Sequence, residues 1–315
     1  MASFNEKLSV ELKAEAKKRG FNPIGIAKIP GSKRIKMRSE SLERWLNAGN
    51  HADMEWMKAP RRFEAEKLLK GVKSVLVVGL NYFTGPKIKT KDEVLIGRYA
   101  WGKDYHQIIE KRLKEIGHWL EKERPNSKWK VCVDSKPILE KAWAEEAGLG
   151  WIGKNSNLIN QNQGSWMVLG NLLSTENLIP DRPSIPLCGK CQICIESCPT
   201  NAITEPFVID SRKCIAYHNI ENRDKEIPIE IQKAMGKWIA GCDICQEVCP
   251  WNDRNIPISN DPDTQAKDWI KKLTCEKAIK WDDEKWKSEL KGSSLKRIKP
   301  WMWRRNANYI QQNKT

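Results

Sequence analysis

Eight of the ten cysteines lie between positions 188 and 249, and their spacing constrains this chain more than any other feature. The first four form the run CGKCQICIESCP, a C-x2-C-x2-C-x3-C-P pattern that is typical of iron–sulfur proteins. The second group, CDICQEVCP, lacks one cysteine of that pattern, and Cys214 is the obvious replacement. The spacing therefore predicts two 4Fe–4S clusters in a ferredoxin-like module.

The same pattern predicts how the thiolates are divided between the clusters. In paired runs of this type the fourth cysteine of each run ligates the other cluster. The first cluster is then held by Cys188, Cys191, Cys194 and Cys249. The second is held by Cys198, Cys214, Cys242 and Cys245. Two zinc sites are the alternative, because zinc also takes four thiolates from C-x2-C pairs. Cys132 and Cys275 stand apart and are expected to be small buried residues.

Charge and hydropathy limit the partners of the chain. Lys and Arg number 55 against 40 Asp and Glu, a net charge of +15, which favours a polyanion such as nucleic acid. A generally basic surface is the alternative. No apolar run approaches the roughly 18 residues of a membrane helix. The charged N-terminus resembles neither a secretory signal nor a twin-arginine signal. We expect a cytoplasmic protein without a membrane partner.

The remaining sequence predicts an α+β protein. Helices are predicted over 5–19, 104–123 and 137–147, and strands over 72–83, 130–134 and 165–174. This alternation indicates an α/β N-terminal domain. The proline-rich stretch 178–187 is the expected boundary, which gives an α/β domain at 1–180, a ferredoxin-like domain at 181–260 and a basic, Trp-rich helical tail at 261–315.

The tail is a candidate nucleic-acid contact. Over 286–305 it carries seven Lys and Arg against Glu289 alone, with Trp301 and Trp303 among them. Cations bind phosphates, and aromatic faces stack on unpaired bases. The alternative is a packed helix whose tryptophans belong to the core, and the sequence of this segment leaves both possibilities open.

Four segments together resemble the epoxyqueuosine reductase family over nearly the whole chain. They are VDSKPILEKAWAEEAGLGWIGKNSNLINQNQGSWMVLGNLL (133–173), RYAWGKDYH (98–106), CIAYHNIENR (214–223) and the K-R-x-K-x-x-x-x-R-R-N-A stretch (296–307). The resemblance implies an oxidoreductase that uses cobalamin and two 4Fe–4S clusters to reduce epoxyqueuosine to queuosine at the tRNA wobble position. Its implied partners are a tRNA anticodon stem–loop and an electron donor such as flavodoxin or ferredoxin. It implies a monomer, in a short form without the C-terminal helical-repeat extension of many members.

The resemblance also implies residue roles. Asp134 is the implied proton donor, which the loss of an epoxide oxygen requires. Cobalamin contacts are implied at Arg62, Gly97, Asp134, Leu158, Leu169 and Ala216. Contacts with tRNA are expected at Arg223, Lys296, Arg297, Arg304 and Arg305. The family usually has C-I-S-Y-L-T-I-E where this chain has CIAYHNIE, so Ala216 lacks a hydroxyl contact. None of the four histidines has a supporting motif, and we expect cobalamin bound without a histidine ligand.

Two local effects act on the pKa of Asp134 in opposite directions. A helix predicted to begin just after it would lower its pKa, whereas burial would raise it. An ordinary N-cap role for Asp134 or Ser135 is the alternative. Two other functions remain open at this point: a cobalamin-dependent reductive dehalogenase, or an iron–sulfur electron carrier or tRNA-binding protein without catalysis. The dehalogenases usually carry the export signal that is absent here, and the specific 134–170 block argues against a carrier.

Overall fold

A computed structural model describes residues 4–86 and 94–313. Its strands are β1 (Ile24–Lys28), β2 (Ser74–Asn81), β3 (Leu95–Ile96), β4 (Trp129–Cys132), β5 (Trp151–Ile152), β6 (Leu158–Ile159), β7 (Met167–Ser174), β8 (Ile203–Glu205), β9 (Val208–Ile209) and β10 (Trp238–Ala240). The main sheet has the order β1-β2-β7-β4, and all its pairs are antiparallel. The predicted mixture of helices and strands in an α+β protein is confirmed.

The helices are mostly short. They are α1 (Phe4–Lys18), α2 (Lys33–Asn47), α3 (Tyr105–Glu123), α4 (Glu140–Glu146), α5 (Ile193–Glu196), α6 (Ile215–Ile220), α7 (Ile229–Ala234), α8 (Ile244–Glu247), α9 (Asp268–Lys271), α10 (Cys275–Ile279), α11 (Asp283–Glu289) and α12 (Pro300–Gln312), with several 3₁₀ turns between them. In the part of the chain that the structure describes, no helix is long and apolar enough to span a membrane.

The central strands β2 and β7 are apolar along their length because both faces of the sheet are covered. They pair over eight residues, from Ser74 opposite Ser174 to Asn81 opposite Met167. Successive side chains of a strand point to opposite faces. Leu76 and Val78 accordingly pack with α1 and α3, whereas Val75 and Val77 pack in the cluster beneath α4. The sheet is therefore the middle layer of the N-terminal part.

Helix α3 forms where the sequence predicts it and positions the first part of the site. Its apolar side chains at 109, 113, 116 and 120 are all fully buried against the sheet. Asp104 caps its N-terminus by accepting the backbone N–H of His106. Since α3 lies across β7 and β4, its first turn comes close to the turn that follows β4.

The turn after β4 differs from the prediction. The helix expected from Pro137 begins three residues later, at Glu140, and Pro137 lies in the preceding turn. Proline disfavours the helical conformation in the residue before it, and Ile138 is buried in the core beneath α4. Asp134 is therefore not the cap of this helix. It has a φ of +41°, in the left-handed region that non-glycine residues seldom adopt.

The tail packs as core rather than as an aromatic surface. Trp303 is fully buried and stacks on Trp281 at a centroid distance of 5.1 Å. It belongs to an apolar cluster with β10 and α10, which means that it cannot stack on a base. Trp301 is 38% exposed. Of the two possibilities that the sequence left open, the packed helix applies to Trp303.

Candidate active site and iron–sulfur centres

The four cysteines predicted for the first cluster surround a common cavity. Its volume is about 150 Å³, and its thiol lining consists of Cys188, Cys191, Cys194 and Cys249. Burial raises the pKa of Cys194 to about 11, and the charges of the other three thiols add to the shift. The indole N–H of Trp151 donates to the sulfur of Cys188 at 3.4 Å. Without a bound cationic group these thiols would stay protonated at neutral pH, so the site needs a metal centre to stabilise them as thiolates.

The other four cysteines form a second set beside the first. Burial raises the pKa of Cys242 to about 12, and the charges of Cys214 and Cys198 act in the same direction. Burial also raises the pKa of Cys245. The charges of Cys214 and Cys242 add to this shift, as does that of Cys194 from the first set. Backbone N–H groups after Cys214 and Cys242, and that of Ala202 toward Cys198, point at the sulfurs.

Short helices present both sets in the same way. Helix α5 begins two residues after Cys191 and carries Cys194, and α8 begins two residues after Cys242 and carries Cys245. The two helices contact each other. Among residues 4–86 and 94–313, no three His, Cys, Asp or Glu side chains form a group that could hold a metal ion. Four thiols around one cavity, at the C-x2-C-x2-C spacing, are the ligand set of a 4Fe–4S cluster.

A chain of three ionisable side chains lies at the first turn of α3. His106 Nε2 is 2.6 Å from Asp134 Oδ2, and His106 Nδ1 is 2.6 Å from Asp104 Oδ1. The hydroxyl of Tyr105 donates to the same oxygen of Asp134 at 3.0 Å. The order is therefore Asp104, His106, Asp134, and the strained turn directs the Asp134 carboxylate toward the helix.

The hydrogen bonds among these side chains determine the protonation states of Asp134 and His106. Burial alone would raise the pKa of Asp134, but 48% of its side chain is exposed, and His106, Tyr105 and Arg62 hold that pKa below its usual range. Burial opposes protonation of His106, yet the hydrogen bonds with Asp104 and then Asp134 raise its pKa to about 9. At neutral pH these three side chains are thus a His106 imidazolium between the carboxylates of Asp104 and Asp134.

Glu140 holds the backbone of the turn. Its Oε1 accepts the N–H of Asp134 at 2.9 Å and receives the amide of Asn171 at 3.4 Å. Burial and then the charge of Asp134 raise the pKa of Glu140 to about 8, so this carboxyl is largely protonated at pH 7. Arg62 is buried nearby and donates to the carbonyl of Ile138 at 3.3 Å. Its Nε is buried without a partner among the described residues.

The residues expected to contact cobalamin fall into two groups. Leu158 on β6 and Leu169 on β7 belong to the apolar cluster of Ile138, whose carbonyl Arg62 contacts. Gly97 and Ala216 lie instead by the second cysteine set. The N–H of Gly97 donates to Ala240, and the backbone of Ala216 points to the Cys214 sulfur.

A basic groove opens beside His106. Its volume is about 390 Å³, and its charged lining consists of Asp104, His106, Arg223, Lys296, Arg297 and Lys299. Arg297 is half exposed and forms an ion pair with Glu221, and Arg223 donates to the Arg297 carbonyl at 3.1 Å. The sequence analysis predicted tRNA contacts for Arg223, Lys296 and Arg297, and the fold brings all three to this groove.

Two of the arginines expected to contact tRNA lie elsewhere. Arg305 is buried and donates to the carbonyls of His218, Asn222 and Asp224. The Arg305 guanidinium joins α12 to α6 and to the loop after it, and we reassign Arg305 to a structural role. Arg304 pairs with Asp283 at 2.8 Å and lines a different, shallow surface.

The sequence did not single out His106, Tyr105 or Glu140 for a role in the site. All three lie in segments that carry the family resemblance, at 98–106 and 133–173. Their contacts join the start of α3 to a turn 28 residues further on, a distance that no local motif spans.

The fold and the two cysteine sets define an iron–sulfur oxidoreductase. Residues 187–252 match the 4Fe-4S double cluster binding domain family, and residues 62–135 match the family described as "Epoxyqueuosine reductase QueG, DUF1730". Epoxyqueuosine reductase of Prochlorococcus marinus (strain NATL2A) is 59% identical over 97% of both chains. That of Synechococcus sp. (strain CC9605) is 54% identical over 98% of this chain and 96% of its own length. The chain belongs to the epoxyqueuosine reductase family, as the sequence resemblance predicted.

Solved structures agree with this assignment. A crystal structure of epoxyqueuosine reductase with a tRNA-Tyr epoxyqueuosine-modified stem loop superposes with a TM-score of 0.89, at 25% identity, over 98% of this chain and 81% of that one. The epoxyqueuosine reductase of Streptococcus thermophilus gives a TM-score of 0.84, at 25% identity, over 98% and 82%. Membership of this family removes the dehalogenase and non-catalytic carrier alternatives.

Proposed function

We propose that this protein reduces epoxyqueuosine to queuosine in tRNA, with Asp134 as the group that protonates the departing oxygen. The observation that carries the proposal is the position of Asp134: a strained turn presents a half-exposed carboxylate, bonded to His106, next to a groove lined by four cations. A proton donor beside a phosphate-binding surface is what an enzyme acting on a nucleoside within RNA requires.

The two cysteine sets are proposed as the ligands of two clusters in the crossed arrangement. The support is that one cavity is lined by the first three cysteines of the first run together with Cys249 of the second. Cys198 of the first run correspondingly interacts with Cys214 and Cys242. The interaction of Cys245 with Cys194 places the sets next to each other, which suits one-electron transfer between them.

Cobalamin is proposed to lie between the second cysteine set and Asp134. The partnerless, buried Nε of Arg62 suits an amide or carbonyl group of such a cofactor, and Leu158 and Leu169 offer it an apolar wall. Gly97 and Ala216 would adjoin it on the side of the clusters. When bound, cobalamin supplies a low-valent cobalt that can give electrons to the substrate carbon skeleton.

The protein's own residues would orient the substrate and move protons. The groove cations Arg223, Lys296 and Arg297 would hold phosphates of the anticodon loop, with Lys299 beside them. Glu140 keeps the Asp134 turn in its left-handed conformation. Asp134 would deliver a proton to the epoxide oxygen as the C–O bond breaks, since a protonated oxygen leaves more easily.

Electrons are proposed to enter at the first cysteine set, from an acidic one-electron carrier such as a flavodoxin or ferredoxin. Around that cavity the surface is basic and partly apolar: Lys190 and Arg254 are exposed, and Ile193 is 42% exposed. Charge complementarity of this kind steers association. We further propose a cytoplasmic monomer, in keeping with a substrate as large as tRNA.

The substitution Asp134→Asn tests the proposal. It keeps the size of the side chain but removes the acid, so turnover of epoxyqueuosine tRNA should fall by about 10²–10⁴-fold. Iron content and tRNA affinity should stay at parental levels. Asp283→Asn, at an exposed site on α11, is the matched control and should leave turnover unchanged. Parental turnover in the Asp134→Asn protein would refute the assignment.

A further inference from the structure

His106 is bound by a carboxylate at each ring nitrogen. Both distances are 2.6 Å, and the ring stacks on Tyr105 at a centroid distance of 4.0 Å. The side chain is 31% exposed, and it opens into the basic groove. Its position at the first turn of α3 is fixed by Asp104, which caps the same helix.

The charges around this imidazole are of both signs. Asp104 and Asp134 contact it, and Glu140 and the Tyr105 hydroxyl lie on the Asp134 side. Arg62 faces Asp134, and Lys267 faces Asp104. The groove adds Arg223, Lys296, Arg297 and Lys299. Among the residues that the structure describes, the two carboxylates are the groups in hydrogen-bonding contact with the ring, so the imidazolium is the favoured form.

Asp134 alone is a poor acid in this setting. A carboxylate that is bonded to an imidazolium and a phenol stays ionised at neutral pH. The proton that the reaction needs is therefore on the neighbouring ring, one hydrogen bond away from the carboxylate.

We propose that His106 stores and supplies the proton that Asp134 delivers to the substrate, with Asp104 holding the ring in place. His106 acts through Asp134 in this scheme, so it is a positioning and relay residue. This inference rests on the proposed function, because the proton acceptor is the epoxide oxygen.

Reduction of an epoxide to an alkene consumes two electrons and two protons and releases water. As the C–O bond breaks, the His106 Nε2 proton moves to Asp134 Oδ2, and Asp134 gives a proton to the oxygen. The electrons come from the one-electron carrier through the reduced centres of the protein. A proton from bulk solvent then restores the imidazolium. The second proton follows the same route through Asp134 as the second C–O bond breaks and the oxygen leaves as water.

The pH profile separates this role from a merely structural one. In the parent protein the single-turnover rate constant should be level through neutral pH and fall as pH rises through about 9, where His106 loses its proton. In His106→Gln the proton must reside on Asp134 itself, whose ordinary pKa is about 4. The falling limb should therefore move down by at least about two pH units. His118→Gln, an exposed position on the same helix, is the control.

A second measurement does not depend on turnover. In NMR of the full-length, cluster-containing protein labelled at histidine, with His106→Gln as the assignment, His106 should titrate near pH 9. Asp104→Asn and Asp134→Asn should each lower that value toward about 6.5. A His106 that titrates near 6.5 in the parent protein, or a His106→Gln profile that is lower but unshifted, would overturn the inference. Failure of the parent protein to make queuosine would instead count against the proposed function.

Discussion

Glu140→Ala should weaken catalysis through the Asp134 turn, whose backbone Glu140 holds. The Asp134 backbone has a φ of +41°, in the left-handed region that costs most non-glycine residues about 1–2 kcal/mol and that Asp adopts more readily than most. The hydrogen bond from the Asp134 N–H to Glu140 Oε1, at 2.9 Å, offsets that cost. Alanine removes the acceptor and leaves the turn free to relax.

The magnitude follows from this bond. Loss of the partner of a buried N–H costs about 1–3 kcal/mol. The bond is only partly buried, so water can replace some of the loss, and the lower half of that range applies. Since about 1.4 kcal/mol is a factor of ten, the share of molecules with the turn in place should fall by about 5–30-fold.

The assay is single-turnover reduction of an epoxyqueuosine stem–loop at pH 7, followed by mass spectrometry of the nucleosides. Glu140→Gln is the matched variant. With a pKa of about 8 the Glu140 carboxyl is already largely neutral at pH 7. The amide should thus keep the rate within about threefold, or about 0.7 kcal/mol. A Glu140→Ala rate within twofold of the parent, or equal losses in both variants, would refute the reasoning.

Three further predictions concern the clusters, the tail and the groove. Cys214→Ala should lose about four of about eight iron atoms per chain, whereas Cys132→Ala, at a buried position outside both sets, should keep them all in an iron assay. Trp303→Ala should lower the free energy of unfolding by about 3–5 kcal/mol, and Trp301→Ala by much less, because only Trp303 is fully buried; chemical denaturation measures both. Lys296→Ala should weaken tRNA binding and reduce the salt dependence by about 0.7–0.9 in log–log slope, without changing the iron content; an unchanged slope would remove Lys296 from the interface.

Regular periodicity made part of the fold predictable. The 4, 3, 4 spacing of apolar residues in 104–123 marks the buried face of α3, and the long apolar runs mark β2 and β7. These patterns are local, and burial of one face or both determines them. The cysteine pattern was equally informative, because thiolate spacing follows directly from the geometry of a cluster.

Tertiary contacts decide what the sequence could not show. The sequence of the tail, with tryptophans among basic residues, is compatible with Trp303 in solvent or in the core. The packing of Trp303 on Trp281 shows that it lies in the core. Arg305 reads as one more surface cation until three backbone carbonyls are seen around it. The charge of Asp134 depends on its contact with His106, which lies 28 residues earlier in the chain and which no local motif marks.

The most direct test of the account is to incubate the purified, cluster-containing protein with cobalamin, a low-potential reductant and an epoxyqueuosine-modified anticodon stem–loop. Mass spectrometry should show a nucleoside lighter by one oxygen, formed by the parent protein and not by Asp134→Asn. Unchanged epoxyqueuosine with the parent protein, when both clusters are present and reduced, would contradict the proposed activity.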